Sequence, residues 1–298
     1  MVFIGEIAAL ATSIFFAITA IIFTSSGRLV GSQITNRIRL VFAMAYLVIL
    51  NVMFFGEPLP FSAEPLHWSW LGLSGIVGLA IGDAFLFQCF VSVGSRLGIL
   101  LLSLAPIFGS LIAWIFFGET LTLLQIFGIV LSLGGIGWVV MSHQEPPDAP
   151  HGQRNRGVFF GVMGALGQAV GLVLAKQGMF GDFSPFQANA IRMLAALSFT
   201  WVLTCFQGEA GATFAALRKN PQAIRLIALG ALVGPVLGVS SSLLAVQQAE
   251  IGVASTLMAL SPVVVLPINY FVYKEKMGWQ AIAGTLLAIA GVAVLFLA

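Results

Sequence analysis

Leu104-Ala-Pro-Ile-Phe-Gly-Ser-Leu-Ile-Ala-Trp-Ile-Phe-Phe-Gly-Glu119 returns, altered but in register, as Leu260-Ser-Pro-Val-Val-Val-Leu-Pro-Ile-Asn-Tyr-Phe-Val-Tyr-Lys-Glu275. Pro106 pairs with Pro262 and Glu119 with Glu275, at an offset of 156 residues. In each copy an apolar helix passes a proline and stops on a glutamate. A proline inside such a run removes a backbone hydrogen bond and bends the helix, so Pro106 and Pro262 are expected hinges. The shared offset predicts a chain made of one unit used twice.

Composition sets the solvent. Hydrophobic residues make up 59% of the 298 positions and charged ones 8%, with a mean hydropathy of +1.03, values that place the chain in a bilayer. Twenty-five Phe against three Tyr suit side chains facing lipid, where a phenol needs a partner. Cys89 and Cys205 lie in apolar runs, so neither a disulfide framework nor a metal site is expected. The first apolar stretch contains Glu6, has no basic lead and is too long for a signal-peptide core, and reads as a membrane helix.

Runs of about 20 apolar residues cross the hydrocarbon layer. Ten are predicted, at 3–24, 37–55, 68–93, 97–117, 122–141, 157–178, 185–207, 223–248, 251–273 and 278–297. Ser142 to Arg156 is the one long polar, proline-rich piece, which predicts a single membrane domain with repeat one at 1–141, a linker at 142–156 and repeat two at 157–298. Further matches support the duplication: Asn36-Arg37-Ile38-Arg39 with Asn189-Ala190-Ile191-Arg192, Gly78 and Gly82 with Gly234 and Gly238, and Gly128 and Gly135 with Gly284 and Gly291. Five spans per repeat is an odd number, so the second copy is expected to enter the membrane inverted. Inverted repeats are a common scaffold of secondary transporters, which bind substrate near mid-membrane where the halves meet.

Sorting the 13 Lys and Arg by predicted side puts eleven on one side and only Lys176 and Arg192 on the other. The positive-inside rule then places both termini outside the cell. The recurring Gly-x-x-x-Gly spacings have a packing explanation, since small residues let membrane helices approach closely. The glycine faces of the fifth and tenth spans are expected to join the halves or to make a homodimer.

Polar residues deep in the spans are the candidate site. Asp83 stands mid-way along the third span, where a carboxylate costs about 2.5 to 3.5 kcal/mol on insertion scales, and its repeat mate is Val239. It reads either as a proton site or partner for a substrate ammonium, or as a carboxylate tied to its neighbours. Phe87 shares its helix face and is a candidate cavity wall, whereas Gln88 points about 140° away. Gln168 shares a face with Gly164 and Gly171, and Lys176 lies near the outer end of its span. Ser240 and Ser242 follow Pro235 and Gly238 in a segment prone to kink, and Ser255 and Thr256 precede Pro262. Each of these polar residues has a competing structural reading as an interhelical hydrogen bond or a repair of freed backbone. Gly82 and Gly238 join the prolines as candidate hinges.

The five-span repeat, the Pro106–Glu119 and Pro262–Glu275 segments, the arginines opening the second and seventh spans, and the glycines of the fifth and tenth together resemble the EamA branch of the drug/metabolite transporter superfamily. The resemblance covers nearly the whole chain. It implies an all-α membrane protein of ten helices in two inverted five-helix repeats, with spans 1, 3, 4, 6, 8 and 9 around a central cavity and 5 and 10 outside it. It further implies export of amino acids or similar metabolites across the cytoplasmic (inner) membrane of a bacterium, with no cofactor and with protons as candidate coupling ions. Two departures stand out: many relatives carry a tryptophan midway along the first span, where this chain has Phe15-Phe16, and basic residues between spans 2 and 3, where it has none.

Other classes fit less well. The chain has no G-x-x-x-x-G-K-[ST] for an ATP-driven pump and no H-E-x-x-H for a metalloenzyme, and its three histidines are predicted in loops. Efflux of cationic drugs is the alternative transport reading, and a non-transporting membrane scaffold the alternative of another class.

Overall fold

The computed structural model describes residues 3–117, 122–142, 153–181, 183–248, 254, 257–273 and 278–297. Helices make up the fold, with no strand among the described residues. We number them α1 (Ile4–Val30), α2 (Ser32–Phe55), α3 (Pro65–Leu102), α4 (Ala105–Phe117), α5 (Leu123–Ser142), α6 (Gln153–Gly178), α7 (Pro185–Phe206), α8 (Ala210–Lys219), α9 (Pro221–Gln248), α10 (Ser261–Tyr273) and α11 (Trp279–Leu297). Seven of the described helices are long and apolar enough to span a membrane. The structure therefore gives an all-helical membrane protein, while the count of ten spans is an expectation it does not reproduce helix for helix.

The difference lies in the predicted fourth, ninth and tenth spans: α11 counts among the shorter apolar helices, and the fourth and ninth are each broken. α3 loses helical geometry at Gly94 (φ 84°, ψ 166°), a region essentially reserved for glycine, and resumes to Leu102. A tight turn at Ser103–Leu104 then precedes α4, with Leu104 N–H donating to the Leu101 carbonyl at 3.0 Å. The second copy does the same: Leu260 N–H donates to the Leu257 carbonyl at 3.2 Å before α10 begins. Pro106 and Pro262 thus sit in the first turn of α4 and α10, where a backbone N–H has no intrahelical acceptor and proline costs little. The expectation of a proline kink within a continuous helix is corrected: the break comes first, and the proline begins the next piece.

A second matched irregularity lies in α3 and α9. Gly75–Gly82 and Leu232–Gly238 are π-helical, a wider coil often found at functional sites. Both end alike: the N–H of Asp83 is shared between the carbonyls of Gly78 and Ala80, and that of its mate Val239 between those of Gly234 and Val236.

Glycines bring the two repeats together reciprocally. α3 lies on α6, so close that a Cβ on Gly167 would come 2.7 Å from the Gly82 Cα, and one on Gly171 2.8 Å from the Gly78 Cα. α9 lies on α1, with Gly234 against Thr19 and Gly238 against the Phe16 ring. The third predicted span of each repeat therefore packs on the first of the other. α5 and α11 meet through Gly135, Gly284 and Gly291. That glycine contact joins the halves, the first of the two expected uses of these faces.

Candidate functional site

Arg39, in the second turn of α2, is 2% exposed and points at the π-helical stretch of α3. A carbonyl oxygen has two lone pairs, so the carbonyls of the widened coil can take side-chain donors beside their backbone ones. Three consecutive carbonyls are met by three side chains. Gln168 Nε2 of α6 donates to Gly78 O at 3.2 Å, Arg39 Nη2 to Leu79 O at 2.7 Å, and Asn36 Nδ2 to Ala80 O at 3.3 Å.

Asp83 closes this cluster. Its Oδ2 accepts from Arg39 Nη2 at 2.5 Å and its Oδ1 from Gln168 Nε2, while Arg39 Nε donates to Asn36 Oδ1 at 2.9 Å. The Arg39 guanidinium also lies 4.9 Å from the centre of the Phe87 ring, within cation–π range. Phe87 itself is 4% exposed and packs on Phe23, ring centres 4.8 Å apart. Asp83 is thus placed in a packed ionic cluster, in line with its reading as a carboxylate tied to its neighbours, and Phe87, a candidate for the cavity wall, packs against the same cluster. Breaking such a pair from one side costs about 3–5 kcal/mol, because the remaining charge stays buried. Gln88 turns away and accepts from Ser32 Oγ at 2.5 Å.

Beside the cluster lies a cavity of about 290 Å³, close to the lower end of the roughly 300–1,000 Å³ of ligand pockets. α1, α3, α4, α6, α9 and α10 supply its wall, the elements that correspond to spans 1, 3, 4, 6, 8 and 9, with Arg192 of α7 added. Both chain breaks open onto it, through Ser103, Ala105 and Pro106 on one side and Ala259 and Ser261 on the other. Its polar wall residues include Gln168, Lys176, Arg192, Ser110 and Ser242. A second hollow of about 360 Å³, beside the Arg37–Glu209 ion pair where α1 meets α2, lies apart from this cluster.

Of the residues singled out in the sequence, Gln168, Lys176, Ser242 and Pro106 reach the cavity. Ser240 does not: it accepts a hydrogen bond from Asn189 Nδ2 at 3.0 Å, while that same amide holds the Pro235 carbonyl at 2.8 Å. Ser255 and Thr256 lie outside the described residues. Gly82 and Gly238 end the two π-helical stretches, and Pro262 begins α10 with Ser261.

Sequence reasoning passed over Arg39, Asn36, Asn189 and Arg192 as site residues. Their signal was the repeated Asn-x-x-Arg, which served to align the repeats and to sort charges by side. Arg39 and Arg192 are both buried inside the bundle. The charge bias therefore rests on the other eleven cations, with Lys176 alone on the minority side.

A search of curated protein sequences returns no match. A solved structure described as "Crystal structure of protein" superposes with a TM-score of 0.69, covering 98% of this chain and 96% of that one at 16% sequence identity. At that identity the likeness establishes the fold alone. The EamA-like transporter family matches residues 3–141 and again residues 155–297. With both repeats accounted for, the broken helices facing a shared cavity are features of an integral membrane transporter, and the chain belongs to the EamA-like transporter family.

Proposed function

We propose that this protein is a secondary transporter exporting amino acids or similar small metabolites across the cytoplasmic membrane, with the substrate held in the cavity between the repeats. The observation that carries the reading is the cavity's matched construction: the break before Pro106 and the break before Pro262 both face it. Backbone groups at breaks in membrane helices are tolerated where they line a cavity, and discontinuous helices commonly form transporter sites.

In this mechanism α3–α4 and α9–α10 rock against α6 and α1 about the glycine contacts, opening the cavity to one side and then the other. The inverted threading of the repeats makes the two openings equivalent, and the cation bias puts both termini outside. Asp83 serves as a fixed charge that holds Arg39 and Gln168, two of the donors to the π-helical carbonyls, so proton coupling through it would require opening the cluster. Export of cationic drugs is the weaker reading, because the charged residues on the described wall are Lys176 and Arg192.

The test is flux in liposomes containing the purified chain, with labelled amino acids, nucleosides and cationic drugs. Counterflow of amino acids is the expected result. Flux of cationic drugs alone supports the drug reading, and no flux of any compound supports the scaffold.

A further inference from the structure

We infer that Arg192 is the receptor for a carboxylate on the transported molecule, an assignment that rests on the transporter reading above and names the chemistry its cargo must carry. Arg192 is 3% exposed and lies on the cavity wall. Its Nε is buried without a hydrogen-bond partner among the described residues, and no carboxylate there lies within ion-pair distance of its guanidinium. A buried charge in that condition is stabilised only when something supplies the missing counter-charge.

The mirrored residue shows what a purely structural arginine looks like in this fold. Arg39 spends its guanidinium on Asp83, Asn36, the Leu79 carbonyl and the Phe87 ring. Arg192 occupies the matching place in the second repeat, but the position matching Asp83 is Val239. Asp83 lies within electrostatic range of Arg192, but its hydrogen bonds go to Arg39 and Gln168 and it makes no ion-pair contact with Arg192. Two guanidiniums and one carboxylate leave the centre one positive charge in excess, and Lys176 adds a second cation to the same wall.

A guanidinium presents a planar fork that suits a carboxylate. The guanidinium lies beside Gly78 of α3, where an added Cβ would sit 3.5 Å from Arg192 Nη2, an ordinary contact. The remainder of the wall, Phe16, Leu102, Leu172 and Val246 among it, suits an apolar side chain. The ligand class is a small monocarboxylate with an apolar remainder, such as a neutral amino acid.

The experiment measures flux of the labelled neutral amino acids and of their amides, which keep the ammonium and lose the carboxylate, into liposomes holding the full-length chain. The expected result is transport of the acids at least about tenfold faster than the amides, as charge-assisted pairing requires. Arg192→Gln is expected to raise KM for the acids about 30-fold or more and to erase the preference, the usual scale for losing one member of a desolvated charge pair. The same variant should melt no lower than the parent, because the charge it removes is buried and makes no ion-pair contact among the described residues. Val239→Asp, which gives Arg192 the counter-ion its mate has, should silence acid transport while keeping a monodisperse, thermally stable protein. Acids and amides carried alike, or a KM within about twofold of the parent in Arg192→Gln, would overturn the assignment while leaving the transporter reading intact. Flux of neither acids nor amides would overturn the amino-acid transporter reading, and this assignment with it.

Discussion

The two π-helical stretches share their place in the repeat and the hydrogen bonding that ends them, with 8 residues in one and 7 in the other, yet their surroundings differ by one charge. At the first, Asp83 neutralises Arg39 and the cluster is sealed. At the second, Val239 takes the place of the acid and Arg192 faces the cavity. Duplication supplied the same bend and the same arginine twice. A single side chain then divided the labour, one copy holding the bundle together and the other left open to a ligand. Such an asymmetry stands out only against the symmetry, because one buried arginine taken alone says little about its purpose.

The comparison can be broken most severely at Asp83. Asp83→Val makes the first repeat resemble the second and leaves Arg39 buried without its counter-ion, at an expected cost of about 3–5 kcal/mol in unfolding of the purified protein. Adding Arg39→Met should recover much of that loss. A single variant as stable as the parent would remove the contrast between the two sites.

Next in size is Gly75→Ala. A Cβ there would lie 2.0 Å from the Arg192 carbonyl oxygen, whereas the matching position already holds Ala231. Because the obstacle is backbone, overpacking of about 1–3 kcal/mol is expected, together with a displaced Arg192 and weakened transport. Gly238→Ala meets the Phe16 ring edge at 2.9 Å, a side chain able to yield, and should cost less. Thermal melts of the two variants side by side sharpen the comparison, and equal losses would count against it.

Comparable or smaller is Gly94→Ala. The residue has φ 84° and nothing within 4 Å of an added Cβ, so only backbone strain opposes the change, worth about 1–3 kcal/mol. A melt unchanged from the parent would show that the break in α3 does not depend on glycine.

Much of the architecture was legible in the sequence because hydrophobic runs and an offset of 156 residues survive in the letters themselves. Glycine spacing likewise pointed to close helix contacts, though not to which helix each face meets. The π-helical stretches were hidden: a single inserted residue per turn leaves no periodic trace in Gly75–Gly82, and only Pro235 signalled irregularity in its mate. The prolines were visible but their effect was not, since a proline in a first helical turn and one in mid-helix look alike in an apolar run. Asp83 was found and its partner missed, because Arg39 lies 44 residues away and was read as a charge near the membrane surface. The short helix α8 was also unforeseen, although Thr213 on it accepts from Arg37 Nη1 at 3.1 Å.

The most direct test of a cavity that serves both faces of the membrane is accessibility of Ser110 and Ser242, one from each repeat. Each is replaced by cysteine in a chain whose exposed Cys205 has been changed to serine, and sealed vesicles of both orientations are treated with a membrane-impermeant maleimide. The account predicts that both positions react from either face, in vesicles that remain tight to small ions. Positions closed to one or both faces, or vesicles that leak, would contradict it.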